Sequence, residues 1–139
     1  DGDIYRFVPS VAPLKEKYRI SDRYGYRTHP ISGERQFHAG LDMAAVYAAT
    51  VHAAASGTVT FAGETPGYGK TVVVTHRFGF QTRYAHLTLI YTRKGAKVEK
   101  GDVIGFVGST GISTGNHLHY EVIKNQKRIN PLNFIYGTK

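Results

Sequence analysis

No stretch of this chain keeps a 3.6-residue apolar period over about 11 residues, the span over which an amphipathic helix declares itself. What recurs instead is a short β-branched or aromatic run closed by glycine. Thr58-Val59-Thr60-Phe61 follows a Ser56-Gly57 turn. Thr71 to His76 and Phe80 to His86 flank Arg77-Phe78-Gly79, the pattern of a β-hairpin with a glycine turn. Val98 to Asp102 reads as a turn, and Val103 to Val107 as a short buried strand. Tyr120 to Lys124 and Lys127 to Ile129 read as a closing hairpin that Asn130-Pro131 ends, with a last turn over Leu132 to Tyr136. One more strand is predicted near Arg19 to Ser21, running into a loop that carries Thr28-His29-Pro30. Short strands with glycine turns throughout predict an all-β domain with few or no helices.

The 139 residues suffice for one domain around one core. With 41% hydrophobic residues, 10 Tyr and 7 Phe, the composition is that of a globular chain and not a disordered one. Residues 1–17 read as an arm or linker; Pro9 and Pro13 interrupt it and no helix is expected there. There is no apolar run of about 18 residues and hence no predicted membrane span. No signal peptide is read either, and the start at Asp1 suggests a mature product or an excised domain.

The absence of cysteine removes disulfides and thiolate metal sites, leaving His, Asp and Glu as possible ligands. A net charge of +8 suits a polyanionic partner, or simply a solvated basic surface. No compact basic run and no nucleic-acid motif accompany it, so a nucleic-acid partner is not expected.

Chemistry concentrates near the C-terminal end, in Asn116-His117-Leu118-His119-Tyr120-Glu121. On a strand, positions i and i+2 share a face, so His117 and His119 project into one space. A second candidate lies upstream in His38-Ala39-Gly40-Leu41-Asp42, read as a loop running into a strand with Asp42 at its start. Taken alone, that pair reads sooner as a surface histidine and an unrelated turn aspartate. Two imidazoles and one carboxylate leave a fourth position for water, the pattern of a catalytic rather than a structural zinc site. His86 stands where a strand gives way to a loop. His29 is a ligand by type but sits in turn chemistry, and His52, among alanines, reads as a packed histidine. Glu121 shares the face of His117 and His119, either to orient an imidazole or as a charge at the strand end. Gly67-Tyr68-Gly69-Lys70-Thr71 is not a phosphate loop, because Glu64 stands where a glycine is required and a strand follows instead of a helix.

In order, the blocks Gly25-Tyr26-Arg27-Thr28-His29-Pro30, Phe37-His38-Ala39-Gly40-Leu41-Asp42, Gly67-Tyr68-Gly69, Tyr84-Ala85-His86-Leu87, Gly101-Asp102-Val103-Ile104-Gly105 and Gly108 to Glu121 resemble the LytM or lysostaphin-like zinc metallopeptidase domain, peptidase family M23. The resemblance spans about residues 19–134 and implies a domain over 18–139. It implies an antiparallel β fold with a central groove, and one Zn²⁺ held by His38, Asp42 and His119. His86 and His117 would be the non-ligand catalytic histidines. The implied activity is a metalloendopeptidase that cuts peptide stems or bridges of bacterial peptidoglycan, D-Ala–diaminopimelate cross-links before pentaglycine bridges. The implied setting is periplasmic or extracellular, and the domain is expected to work as a monomer. The chief alternative is a catalytically silent wall-binding or amidase-activator domain of the same fold. A lipoyl-like module, suggested by Val98 to Gly105, does not call for the ordered His and Asp positions. Two places depart from the family pattern: Ala45 to Val51 replaces a proline-glycine turn, and Lys70 stands where asparagine is common.

Overall fold

The computed structural model describes residues 2–28, 31–113 and 115–135. Its strands are β1 (Arg19–Asp22), β2 (Gly25–Thr28), β3 (Arg35–His38), β4 (Leu41–Ala44), β5 (Thr50–His52), β6 (Gly57–Thr65), β7 (Gly69–Thr75), β8 (Phe80–Ile90), β9 (Lys97–Val98), β10 (Val103–Val107), β11 (His117–Lys124) and β12 (Lys127–Ile129). All pairings are antiparallel. Ten strands form one sheet with the path β1-β4-β11-β8-β7-β6-β9; β10 joins β5 to β8, and β12 pairs with β11. β2 and β3 form a separate two-stranded hairpin. The all-β class expected from the glycine-punctuated runs and the antiparallel fold implied by the resemblance are therefore the ones observed. A single 3₁₀ turn, Pro131–Asn133, follows the closing hairpin, with Asn130 capping it through its side-chain oxygen. Tyr136, to which that turn was expected to run, lies outside the described residues, as does His29.

Two differences from the sequence reading have physical causes. First, Gly2–Phe7 forms a six-residue helix, α1, where none was expected. It ends before Pro9, whose ring would break a longer one. The arm beyond it lies against the sheet: Leu14 is buried and bridges to Val51, and the Lys100 ammonium donates to the carbonyls of Tyr5 and Val8 and to Ser10. Second, β2 and β3 lie where a loop was predicted. Their residues are mostly exposed, so no in-out alternation marks them in sequence. Backbone pairing holds them instead, with Tyr24 and Tyr26 packed edge-on against Phe37.

The core sits against the central strands β4, β7, β8 and β11. On β11, Leu118, Tyr120 and Val122 are fully buried and join it. Strand alternation then sends His117, His119 and Glu121 to the opposite face. At the far end, the β11–β12 turn uses Asn125 and Gln126, both at positive φ (50° and 68°), as a tight two-residue hairpin requires.

Candidate metal centre

Register brings the upstream and downstream candidates together. β4 pairs with β11 so that Asp42 lies opposite His119. His38 ends β3 instead of lying in the predicted loop, and two residues carry the chain into β4. The second of them, Gly40, is there because nothing larger fits: a Cβ would lie 2.6 Å from the Tyr120 carbonyl oxygen and 2.9 Å from both Glu121 Cγ and His119 Cε1. His38 Nε2 is 3.3 Å from Asp42 Oδ2, and His119 Nδ1 is 2.7 Å from Asp42 Oδ1. One donor atom from each residue falls within 4.8 Å of the others.

This donor set fits a zinc ion. Ligands about 2.0–2.2 Å from a tetrahedral metal stand roughly 3.3–3.6 Å apart, the spacing His38 and Asp42 already have. The far nitrogens are also held. His38 Nδ1 donates to the Arg23 carbonyl at 2.9 Å, which leaves Nε2 as the donor to a metal. His119 Nε2 donates to Glu121 Oε2 at 2.8 Å, which leaves Nδ1.

Electrostatics point the same way. Burial opposes charge on His119, but hydrogen bonds to Asp42 and Glu121 and the charge of both carboxylates raise its pKa to about 9. Burial likewise opposes charge on Asp42, and the bonds from His119 and His38 outweigh it and hold the carboxyl far below its usual range. An imidazolium between two carboxylates fills the role of a cation, and a metal would displace its Nδ1 proton.

Glu121, fully buried, is an orienting group and not a charge at a strand end. Besides His119 it accepts from Tyr68 Oη at 2.9 Å and from Arg128 Nε at 2.9 Å. Burial raises its pKa, but the His119 hydrogen bond and charge, then Arg128 and Tyr68, bring it down to about 2. Arg83 completes the surround, its guanidinium stacked over the Tyr68 ring. Arg83 and Arg128 were not singled out in sequence, and Tyr68 stood in a quoted motif without a role. No spacing ties them to Glu121, and only the β7–β8–β11–β12 register brings them near it.

His86 reaches the same space by a bulge. β8 spends one residue more than β7 between the Val72–Tyr84 and Lys70–Leu87 pairs, and His86 takes φ 62°. Bulges re-aim side chains in this way beside active sites. Two loop contacts lock it: its N–H donates to the Tyr68 carbonyl at 2.8 Å, and its Nδ1 donates to the Thr110 carbonyl at 2.7 Å. Burial lowers its pKa, against that hydrogen bond and with help from His117 and His119, so the ring is neutral with Nε2 free. His117 Nδ1 faces the Gly115 carbonyl at 3.0 Å, and its Nε2 lies 3.9 Å from Asp42 Oδ2. The His86 and His117 rings are 4.7 Å apart.

All five sequence candidates therefore line one cavity of about 550 Å³, with Asp22, Arg27, Phe37, Tyr68 and Ile112 among its other walls. The other described histidines stand elsewhere. His52 is packed as expected, bonded to the Gly101 carbonyl and Thr50. His76 is buried between Ser56 and Thr82. Lys70, at the departure from pattern, donates to the Thr88 carbonyl at 3.1 Å.

The family model described as peptidase family M23 matches residues 36–131. The chain belongs to peptidase family M23. This M23 chain is 48% identical over 120 residues to the DD-carboxypeptidase/endopeptidase Mpg of Neisseria meningitidis serogroup B, covering 86% of this chain and 28% of the relative. It is 37% identical over 133 residues to the peptidoglycan DD-endopeptidase ShyA of Vibrio cholerae, covering 95% and 31%. Among solved structures it is similar to a zinc containing peptidase from Vibrio cholerae, with a TM-score of 0.81 and 32% identity over 91% of this chain and 39% of that one. The chain thus spans under a third of the length of these curated relatives. Its fold is the lysostaphin/LytM-like one. No helix among the described residues is long and apolar enough to cross a membrane.

Proposed function

We propose that this M23 chain is the catalytic domain of a zinc-dependent endopeptidase that hydrolyses peptide cross-links of bacterial peptidoglycan, between D-Ala and diaminopimelate, outside the cytoplasm. The observation that carries this is the pairing of a three-ligand His38–Asp42–His119 set with two further imidazoles on its open side. A purely structural zinc site would close the fourth position with another protein ligand. The names of the relatives Mpg and ShyA support the substrate class.

His38 would bind the metal through Nε2, His119 through Nδ1 and Asp42 through its carboxylate. Bound Zn²⁺ supplies a Lewis acid and brings the pKa of a coordinated water towards ~7. The chain's own residues do the rest. Glu121 keeps the His119 proton on Nε2, so that Nδ1 stays a ligand atom. His86 and His117, each with Nδ1 tied to a backbone carbonyl, present Nε2 to the groove. There Nε2 accepts a proton from the reacting groups, and the imidazolium so formed donates to the oxyanion of the tetrahedral state or to the leaving amine. No glutamate base of the helical zinc-protease kind is needed. Phe37, Tyr68 and Ile112 are walls of the groove that receives the substrate.

The test is digestion of purified sacculi by zinc-loaded protein, with chelator-treated protein and His117→Ala in parallel, and mass spectrometry of the muropeptides. Chelator-sensitive loss of cross-linked dimers is expected, slowed about 10²–10⁴-fold in His117→Ala with zinc retained. Loss of zinc in that variant would make His117 a ligand. No products despite bound zinc would favour the silent, activator-type reading.

A further inference from the structure

The groove that holds the candidate metal centre is lined by histidines, carboxylates and apolar side chains. Among its described lining residues, Arg27 is the one permanent cation. β2 and β3 pair with Gly25 opposite His38 and Arg27 opposite Gln36. Cross-strand partners share a face, as do residues two apart, so Arg27 projects from the same hairpin face as the ligand His38. Its guanidinium is not adrift there. Nη1 pairs with Asp22 Oδ2, and Asp22 Oδ2 lies 3.9 Å from His38 Nδ1. Asp22 in turn is the β1 residue in register with Asp42. The chain Asp42–Asp22–Arg27 thus fixes a positive fork one residue away from the metal ligands. One nitrogen of the fork is taken by Asp22, and the side chain is still 43% exposed towards solvent.

A planar guanidinium held by one carboxylate and open on its other side is built to take a second carboxylate. The two candidate cross-links differ in this one respect. When a D-Ala–diaminopimelate bond is cut, the amine released sits on a carbon that also bears a free carboxylate. A glycine bridge has no charge at that position. We propose that Arg27 is a specificity-determining residue of this site, pairing with the carboxylate on the carbon next to the scissile nitrogen. Asp22 is its positioning partner. This inference rests on the endopeptidase reading and selects diaminopimelate cross-links over neutral glycine bridges.

The experiment uses one cross-linked stem-peptide dimer in two forms, with the diaminopimelate carboxylate next to the scissile amine either free or amidated. Wild type and Arg27→Gln, both zinc-loaded, are compared by kcat/KM, with zinc content and Tm recorded to establish that the variant is folded and metallated. Wild type is expected to prefer the free carboxylate by about 10- to 100-fold, the range for a hydrogen-bonded charge pair. Arg27→Gln is expected to bring that ratio close to one, and Arg27→Lys to recover part of it, because a point charge replaces the fork. Equal cleavage of both forms by wild type overturns the inference. So does an equal loss on both forms in Arg27→Gln, which is the mark of a merely structural arginine. Absence of chelator-sensitive cleavage of either form by wild type overturns the endopeptidase reading itself, and this inference with it.

Discussion

At the scale of single residues, the informative one is Glu121. A carboxylate with no exposure is costly unless each oxygen is engaged. Here Oε2 takes His119 and Tyr68, and Oε1 takes Arg128. The result is that the proposed ligand His119 is held in one tautomer and one ring orientation. Glu121→Gln keeps the shape but weakens the hold on the Nε2 proton. Its zinc affinity is expected to fall about 10- to 100-fold, read by competition with a chelating dye at constant pH. Unchanged affinity would mean that Asp42 and packing alone orient the ring. Gly40 works at the same scale by exclusion, since the close approach of the β3–β4 link to β11 leaves no room for a side chain.

At the scale of elements, two loops hold the His86 side of the candidate site. The segment before β7 and the segment after β10 cross so closely that a Cβ on Gly69 would lie 2.4 Å from the Thr110 carbonyl carbon, and one on Gly111 would lie 2.5 Å from the Gly69 nitrogen. Both glycines have positive φ, 71° and 77°. The crossing matters because Tyr68 and Thr110 supply the two carbonyls that fix the bulged His86. Gly111→Ala therefore forces the loops apart at the point where they aim that ring. The positive φ alone costs about 1–3 kcal/mol, and a shift near 1 Å in a catalytic group can cost ~10²-fold in rate. Zinc content should be unaffected, because His38, Asp42 and His119 stand on β3, β4 and β11. Loss of zinc along with activity would place the crossing under the metal site as well.

At the scale of the whole molecule, the core contains a polar chain remote from the groove. The Ala54 N–H donates to Tyr84 Oη, and Tyr84, Thr82 and His76 Nε2 follow at 2.6 and 2.8 Å. His76 Nδ1 donates to the Ser56 carbonyl at 2.8 Å, so Nε2 is an acceptor and the ring is neutral. Burial, aided by the charge of Lys100 and opposed by the Ser56 bond, lowers its pKa from 6.5 to about 4. The unfolded chain therefore binds a proton that the folded chain refuses. Stability from this group is full above pH 6.5 and is lost as pH falls towards about 4. The loss amounts to about 3 kcal/mol. Urea denaturation at about pH 7.5 and about pH 4.5 should resolve it: the advantage of wild type over His76→Gln shrinks by about 2–3 kcal/mol between them. A constant difference would show that His76 titrates normally.

The local alternation and glycine turns were enough to determine the β class, the β7–β8 and β11–β12 hairpins, and the parity that puts His117, His119 and Glu121 on one face. Those are short-range properties, written in neighbours two or three residues apart. The pairing of His38 and Asp42 with His119 was legible as ordered motifs, but its geometry comes from register between β4 and β11, across more than 70 residues of chain. The β2–β3 hairpin left no trace in sequence because neither strand alternates between core and solvent, and α1 left none because six residues are too few to display a period. Arg83 and Arg128 were likewise silent, and Arg27 and Tyr68 stood in quoted motifs without a role. An arginine or tyrosine acquires a role only when a long-range contact gives it a carboxylate to hold, and that contact exists only in the tertiary structure.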